Sequence, residues 1–186
     1  MRRSIVLIVI AILLPAGFLQ AQALPGDKGG YTLSPARTAQ LKATDYVYAS
    51  AETSYADMGN VLSAVLMQFS DAIKSGQLQP SGGPVFEYVG AGEDRNKTFT
   101  LRVGYPVAAG TKAFGGFQVG KLESKKSAVA VFIGRRESLN AAYQKLYTQI
   151  GAAGLTPGDV RREHYLYYED EASSNNVTMI EIELKQ

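Results

Sequence analysis

A chain of 186 residues, 46% of them apolar, with a formal charge of +2, has the size and composition of one folded domain. These values exclude a chain that is disordered throughout, and the absence of cysteine excludes disulfides. With 19 basic against 17 acidic residues, the chain lacks the basic excess of nucleic-acid-binding proteins. We therefore expect no nucleic-acid partner.

The N-terminus has the three-part pattern of a secretory signal peptide. Arg2 and Arg3 precede ten apolar residues from Ile5 to Leu14, and small residues then lead to an A-x-A cleavage site ending at Ala23. The alternative is an uncleaved anchor, but the apolar run is short against the roughly 20 residues of a membrane-spanning helix. We predict a signal peptide over residues 1–23 and a periplasmic or secreted protein without a stable membrane span.

Cleavage would remove two arginines and no acid, leaving 17 basic and 17 acidic residues. Residues 24–44, with Gly26, Gly29, Gly30 and Pro35, predict a flexible tether. The chain then repeats itself at an offset of 77 residues. The identical pairs are Ser50 and Ser127, Ala51 and Ala128, Leu62 and Leu139, Ala64 and Ala141, Ile73 and Ile150, Leu78 and Leu155, Pro80 and Pro157, and Tyr88 and Tyr165. Because such a repeat indicates a duplicated structural unit, we assign units to about 45–107 and 122–184.

Each unit predicts the order strand, helix, strand, strand. Apolar stripes at helical spacing run from Met58 to Ile73 and from Leu139 to Ile150. Alternating residues predict strands at 46–55, 85–90 and 98–107, then at 127–133, 163–169 and 177–184. One helix on three strands buries little by itself. We therefore predict an α+β fold, in which duplicated β-α-β-β units form one pseudo-twofold antiparallel-sheet domain with a ligand cleft between the halves.

The second unit also carries a series of motifs. In order they are Gly134, Leu139, Tyr143, Leu146, a Gly-Leu-x-Pro-Gly turn at Gly154–Gly158, Glu163 and Tyr165 in a Glu-x-Tyr, and a closing alternating strand. With this order and spacing, residues 45–186 resemble the GyrI-like small-molecule-binding family, which includes effector-binding domains of bacterial multidrug-responsive transcription regulators. The resemblance implies a cleft for planar or cationic organic molecules, into which Glu163 projects.

The chain departs from the family pattern in two respects. Arg136 stands where an aromatic residue is expected after the strand-to-helix turn, and Glu183 stands where the closing strand usually has a proline. The family's regulators also carry a DNA-binding helix-turn-helix. The 21 residues between the predicted cleavage site and Asp45 leave no room for one, so we do not expect a transcription factor.

Strand alternation gives the candidate site its members. Glu163, Tyr165 and Tyr167 share one face, and His164 points to the other, so a Glu163–His164 catalytic pair is not expected. The repeat places Phe86 and Tyr88 across the pseudo-twofold. The predicted ligand-binding residues are Glu163, Tyr165, Tyr167, Phe86 and Tyr88. Aromatic walls around one carboxylate suit hydrophobic organic compounds, including cationic ones.

Three functions stay open at this point. We expect an exported small-molecule-binding domain rather than an enzyme. The alternative is a hydrolase of strained electrophilic compounds that uses Glu163 as a base and Tyr165 as a donor. A third reading is an envelope interaction module whose cleft is filled by its own aromatic side chains. We expect no cofactor and no metal, since one histidine without cysteine cannot supply the usual zinc ligands, and strand geometry disfavours His164 as a haem ligand. The oligomeric state is not predicted.

Overall fold

A computed structural model of the protein describes residues 30–92 and 94–185. In chain order the elements are β1 (Tyr31–Leu33), β2 (Arg37–Gln40), β3 (Thr44–Thr53), α1 (Met58–Lys74), β4 (Val85–Val89), β5 (Phe99–Pro106), β6 (Gln118–Leu122), β7 (Lys126–Gly134), a 3-10 turn (Arg136–Ser138), α2 (Leu139–Ala152), β8 (Pro157–Tyr167) and β9 (Val177–Leu184). The predicted signal peptide and residues 24–29 of the predicted tether lie outside the described residues. None of the described helices is long and apolar enough to cross a membrane.

The strands of the described residues form one open antiparallel sheet, and the two units meet at its centre. The strand order is β1-β7-β9-β8-β4-β5-β3-β6, and β2 also pairs with β7. At the junction of the units, Phe86 of β4 pairs with Glu163 of β8. These two positions are separated by 77 residues, the offset of the sequence repeat. The pseudo-twofold axis therefore passes between Phe86 and Glu163, and the predicted α+β fold with duplicated units is confirmed.

The two helices cover one face of the sheet, and each buries the apolar stripe that the sequence predicts. Phe69 of α1 and Leu146 of α2 are both 0% exposed. Complete burial of such a side chain contributes about 1.5–3 kcal/mol. Each helix is followed by a glycine in the left-handed conformation, Gly76 with φ 76° and Gly154 with φ 69°. This conformation turns the chain back toward the sheet.

The predicted tether is wrong for residues 30–44. The strands β1 and β2 both pair with β7, and β3 already begins at Thr44. Strands of three and four residues are too short for alternation to identify them in the sequence, and pairing with β7 supplies their geometry. In the second unit β8 begins at Pro157 instead of residue 163. The longer strand brings Arg161 and Arg162 into the sheet.

The face of the sheet away from the helices carries a buried network of charges. Glu87 accepts hydrogen bonds from Arg102 and Arg162, both at 2.7 Å, and Arg162 also donates to Glu181 at 3.1 Å. His164 Nε2 lies 2.9 Å from Glu181 Oε2. These residues come from the adjacent strands β5, β4, β8 and β9. The network thus fixes the register of β8, whose other face carries Glu163.

Hydrogen bonds and neighbouring charges in this network favour the ionised form of Glu181. Burial acts to raise the pKa of Glu181, but the hydrogen bond from His164 and the charge of Arg162 lower that pKa overall. Buried charges of this kind are tolerated when each is paired and hydrogen-bonded. His164 therefore has its partner on the face opposite to Glu163, in agreement with strand alternation.

Candidate functional site

Glu163 lies at the centre of the sheet on the helix-covered face, where three tyrosine hydroxyls donate to its carboxylate. Tyr88 of β4 and Tyr165 of β8 donate to Oε2 at 3.1 and 2.7 Å, and Tyr143 of α2 donates to Oε1 at 3.0 Å. Glu163 is only 4% exposed. Burial of a carboxylate is costly unless its oxygens are hydrogen-bonded. The three hydroxyls meet this requirement, and we call these four residues the tyrosine–glutamate cluster.

The environment of the tyrosine–glutamate cluster keeps its tyrosines neutral. Burial raises the pKa of Tyr88, Tyr143 and Tyr165 well above the usual 10.0, and the negative charge of Glu163 adds to the shift. Only a neutral tyrosine has a hydroxyl proton to donate. All three therefore serve as hydrogen-bond donors at any pH near neutrality.

A cavity of about 460 Å³ opens above the cluster. The first unit contributes Tyr55, Met58, Tyr88, Gly92 and Arg95 to its wall, and the second contributes Arg136, Leu139, Asn140, Tyr143, Gln144, Tyr147, Arg161 and Glu163. Small-molecule pockets typically measure about 300–1,000 Å³. The cleft between the halves is therefore large enough for an organic ligand, and a cleft filled by its own aromatic side chains is not what the structure shows.

Arg161 is a cavity residue that the sequence analysis missed. It lies two positions before Glu163 on the same face of β8. Its guanidinium carbon is 5.2 Å from the ring centre of Tyr55, 4.9 Å from that of Tyr88 and 5.1 Å from that of Tyr143. Burial lowers the pKa of Arg161, and Glu163 opposes this shift. Tyr88, one of the rings that were expected to attract a cationic ligand, thus already contacts a cation of the protein itself.

Two hydrogen-bond donors beside this cavity have no partner among the described residues. They are Nε of Arg161 and the hydroxyl of Tyr55, both shut off from solvent. A buried donor without a partner costs about 1–3 kcal/mol, and such groups are rare in folded proteins. Both residues belong to the wall of the same cavity.

Four of the five predicted site residues lie close together in the structure, and the fifth, Tyr167, lies apart from them. Tyr88 and Glu163 line the cavity. Phe86 and Tyr165 pack on each other with ring centres 4.8 Å apart and do not line the cavity. Tyr167 is 41% exposed and its hydroxyl donates to Glu169. A β-bulge between Tyr165 and Tyr167 breaks the alternation on which the prediction for Tyr167 rested.

Residues 30–92 and 94–185 contain no group of three or more histidine, cysteine, aspartate or glutamate side chains that could hold a metal ion. His164 lies on the far side of the sheet from the cavity and contacts Glu181. The described side chains of the cavity wall carry hydroxyl, guanidinium, carboxylate, amide, thioether and aromatic groups.

A duplicated α+β domain with a tyrosine-lined cavity between its halves is a small-molecule-binding module. The sequence matches the GyrI-like small molecule binding domain over residues 37–185. The chain belongs to the GyrI-like family. No curated protein matches it significantly.

Several solved structures share the fold. EcmrR in its complex with DNA has a TM-score of 0.64 at 12% identity, over 84% of this chain and 58% of EcmrR. This chain thus spans less than two thirds of that protein. SAV2435 bound to tetraphenylphosphonium has a TM-score of 0.55 at 14% identity, over 81% of this chain and 93% of SAV2435. An integron cassette protein of Vibrio cholerae has a TM-score of 0.54 at 12% identity, over 83% of this chain and 99% of its own. At such identities the likeness shows the fold alone.

Proposed function

We propose that the protein is an exported domain that binds a hydrophobic organic compound in the cavity between its halves. The observation that carries this proposal is the open cavity of about 460 Å³ above the tyrosine–glutamate cluster. Rings of Tyr55, Tyr88 and Tyr143, together with Met58, offer apolar area to the body of a flat ligand. Export is supported by the signal-peptide pattern of residues 1–23.

Glu163 has a positioning role in this proposal. Its two carboxylate oxygens already accept hydrogen bonds from Tyr88, Tyr143 and Tyr165. These bonds hold the rings of Tyr88 and Tyr143 as walls of the cavity. A hydrolase would instead need Glu163 to accept a proton from a water molecule. No observation on the described residues favours that reaction, so we propose binding without turnover.

The charge of the ligand depends on more than Glu163. SAV2435 is bound to tetraphenylphosphonium, and aromatic walls around one carboxylate suit cationic compounds as well as neutral ones. In this chain a cation would compete with Arg161 for the rings of Tyr55, Tyr88 and Tyr143. The aromatic walls and the carboxylate therefore do not set the ligand's charge by themselves.

The cavity is tested as the binding site by fluorescence titration with the uncharged probe 1-N-phenylnaphthylamine. The protein is purified after expression of the full-length sequence. Asn140 is exposed on α2 at the cavity wall, whereas Asn60 is exposed on α1 outside it. We expect Asn140→Trp to weaken binding by at least about tenfold, which corresponds to about 1.4 kcal/mol. Asn60→Trp should leave binding unchanged. No binding by the unaltered protein, or equal effects of the two variants, would contradict the proposal.

Export is tested separately. The full-length chain is expressed in a bacterium, the periplasmic fraction is isolated, and the mass of the recovered protein is measured. We expect a polypeptide that begins at Leu24. Recovery from the membrane fraction with residues 1–23 still attached would support the anchored alternative.

A further inference from the structure

The environment of Arg161 is unusual for an arginine. A guanidinium has five N–H donors and no acceptor, and in folded proteins such donors are almost always hydrogen-bonded. Nε of the Arg161 guanidinium has no hydrogen-bond partner among the described residues, and the group lies against the rings of three tyrosines. The hydroxyl of Tyr55 is equally unpartnered, and its ring centre is 5.2 Å from the guanidinium carbon. Two neighbouring residues of one cavity wall thus each hold a donor that no described residue satisfies.

The charged residues in the described part of the cavity wall are mostly basic. Three arginines and one glutamate line the described part of the wall, namely Arg95, Arg136, Arg161 and Glu163. The carboxylate of the glutamate already accepts hydrogen bonds from three tyrosine hydroxyls. Of the arginines, Arg136 pairs with Glu171 at 3.6 Å, and Glu171 is 77% exposed. The described part of the wall therefore carries a net positive charge, which attracts anions and repels cations.

We infer that the ligand of this cavity is an organic anion, with a flat apolar body and a carboxylate, sulfonate or phosphate group that accepts hydrogen bonds from Arg161 and Tyr55. This inference rests on the proposed binding function and names the chemical class of the ligand. The apolar body lies against the tyrosine rings and Met58. The guanidinium is a planar fork that matches the two oxygens of such a group. A cationic ligand would have to displace Arg161 from three rings and enter a wall with three arginines.

Two probes that differ by one group test the inference. 1-Anilinonaphthalene-8-sulfonate is 1-N-phenylnaphthylamine with an added sulfonate, so a comparison of the two isolates the anionic group. The sulfonate makes the probe more soluble in water and hence weakens apolar burial. We expect the unaltered protein to bind the anionic probe at least about tenfold more tightly than the neutral one, since a charge-assisted hydrogen bond corresponds to about 10- to 100-fold in affinity.

Variants then locate the effect. Arg161→Gln should weaken the anionic probe by at least about tenfold more than it weakens the neutral probe. Tyr55→Phe keeps the ring, and it should weaken the anionic probe by about three- to tenfold more than the neutral probe. Arg135→Gln is the matched control, because Arg135 is 56% exposed, pairs with Glu137 and lies outside the cavity wall. Circular dichroism and thermal midpoints verify that each variant is folded.

The results of these titrations distinguish a failure of this inference from a failure of the proposed binding function. If the neutral probe binds as tightly as the anionic one, or if Arg161→Gln weakens both probes alike, the inference is overturned and the binding function stands. Tighter binding of tetraphenylphosphonium than of the sulfonate would overturn it as well. If Arg161→Gln leaves the anionic probe unaffected, water satisfies the two donors and the inference is wrong. Failure of every probe to bind would overturn the proposed function itself.

Discussion

Removal of one hydroxyl from the tyrosine–glutamate cluster should destabilise the protein in a way that depends on the charge of Glu163. Tyr143→Phe keeps the ring, which is 8% exposed, and deletes the hydrogen bond of 3.0 Å to Oε1 of Glu163. A hydrogen bond to an ionised partner contributes about 1.5–3 kcal/mol, against about 0.5–1.5 kcal/mol for a neutral pair. We expect Tyr143→Phe to lower the free energy of unfolding by the larger amount.

A double-mutant cycle with Glu163→Gln isolates the charge. In the Gln background, Tyr143→Phe should cost only about 0.5–1.5 kcal/mol, which gives a coupling energy of about 1 kcal/mol or more. Urea denaturation followed by circular dichroism supplies the four free energies. The control is Tyr167→Phe, because the hydroxyl of Tyr167 donates to the exposed Glu169 at 2.7 Å and should be worth less than about 0.5 kcal/mol. The reasoning would be refuted if the free-energy losses of Tyr143→Phe and Glu163→Gln were additive. An equal loss of unfolding free energy in Tyr167→Phe would refute it as well.

Two further predictions concern pH and close packing. The folded-state pKa values of Tyr88, Tyr143 and Tyr165 lie well above 10.0, so their contribution to stability is fully present below pH 10.0 and is lost as pH rises through the folded-state pKa values. Each tyrosine should cost about 1.4 kcal/mol per pH unit in that range. Tyrosinate absorbance should appear for these three only on unfolding; their ionisation in the folded protein with an ordinary pKa would contradict this. Gly83→Ala should destabilise by about 1–3 kcal/mol and weaken ligand binding, because the new Cβ would overlap the carbonyl oxygen of Tyr165. Gly82→Ala, whose Cβ would meet nothing nearer than 3.7 Å, should have little effect, and equal losses in the two variants would argue against a close-packed β8.

The duplicated core of the fold could be predicted because the evidence for it is local in the sequence. Helical stripes, strand alternation and identities such as Tyr88 with Tyr165 are visible without any partner strand. The strands β1 and β2 could not be found in this way. Their three and four residues acquire strand geometry by pairing with β7, and a segment with Gly30 and Pro35 predicts a tether when that partner is unknown.

The candidate site was predictable where it depends on strand period and not where it depends on register. Alternation and the repeat brought Glu163 and Tyr88 together, and the same period would have placed Arg161 two positions before Glu163 on one face. An arginine near a strand end is, however, more often exposed. The network around Arg162 needs cross-strand partners from β4 and β9, which only the register of the sheet supplies. Tyr167 was misplaced because a β-bulge leaves no mark in the sequence.

The position of the pseudo-twofold axis has a consequence for how such a site can be assembled. Phe86 and Glu163 are equivalent positions that face each other across the axis. In a symmetric homodimer of one unit, the same residue would stand on both sides, with Cβ atoms about 4.5–5.5 Å apart. Two glutamates there would repel each other, and two phenylalanines would leave the tyrosine hydroxyls without an acceptor. One chain that contains both copies escapes this constraint, since each copy can differ at the axis. The result is a single carboxylate at the axis, which accepts hydrogen bonds from tyrosines of both units while an apolar side chain stands opposite to it.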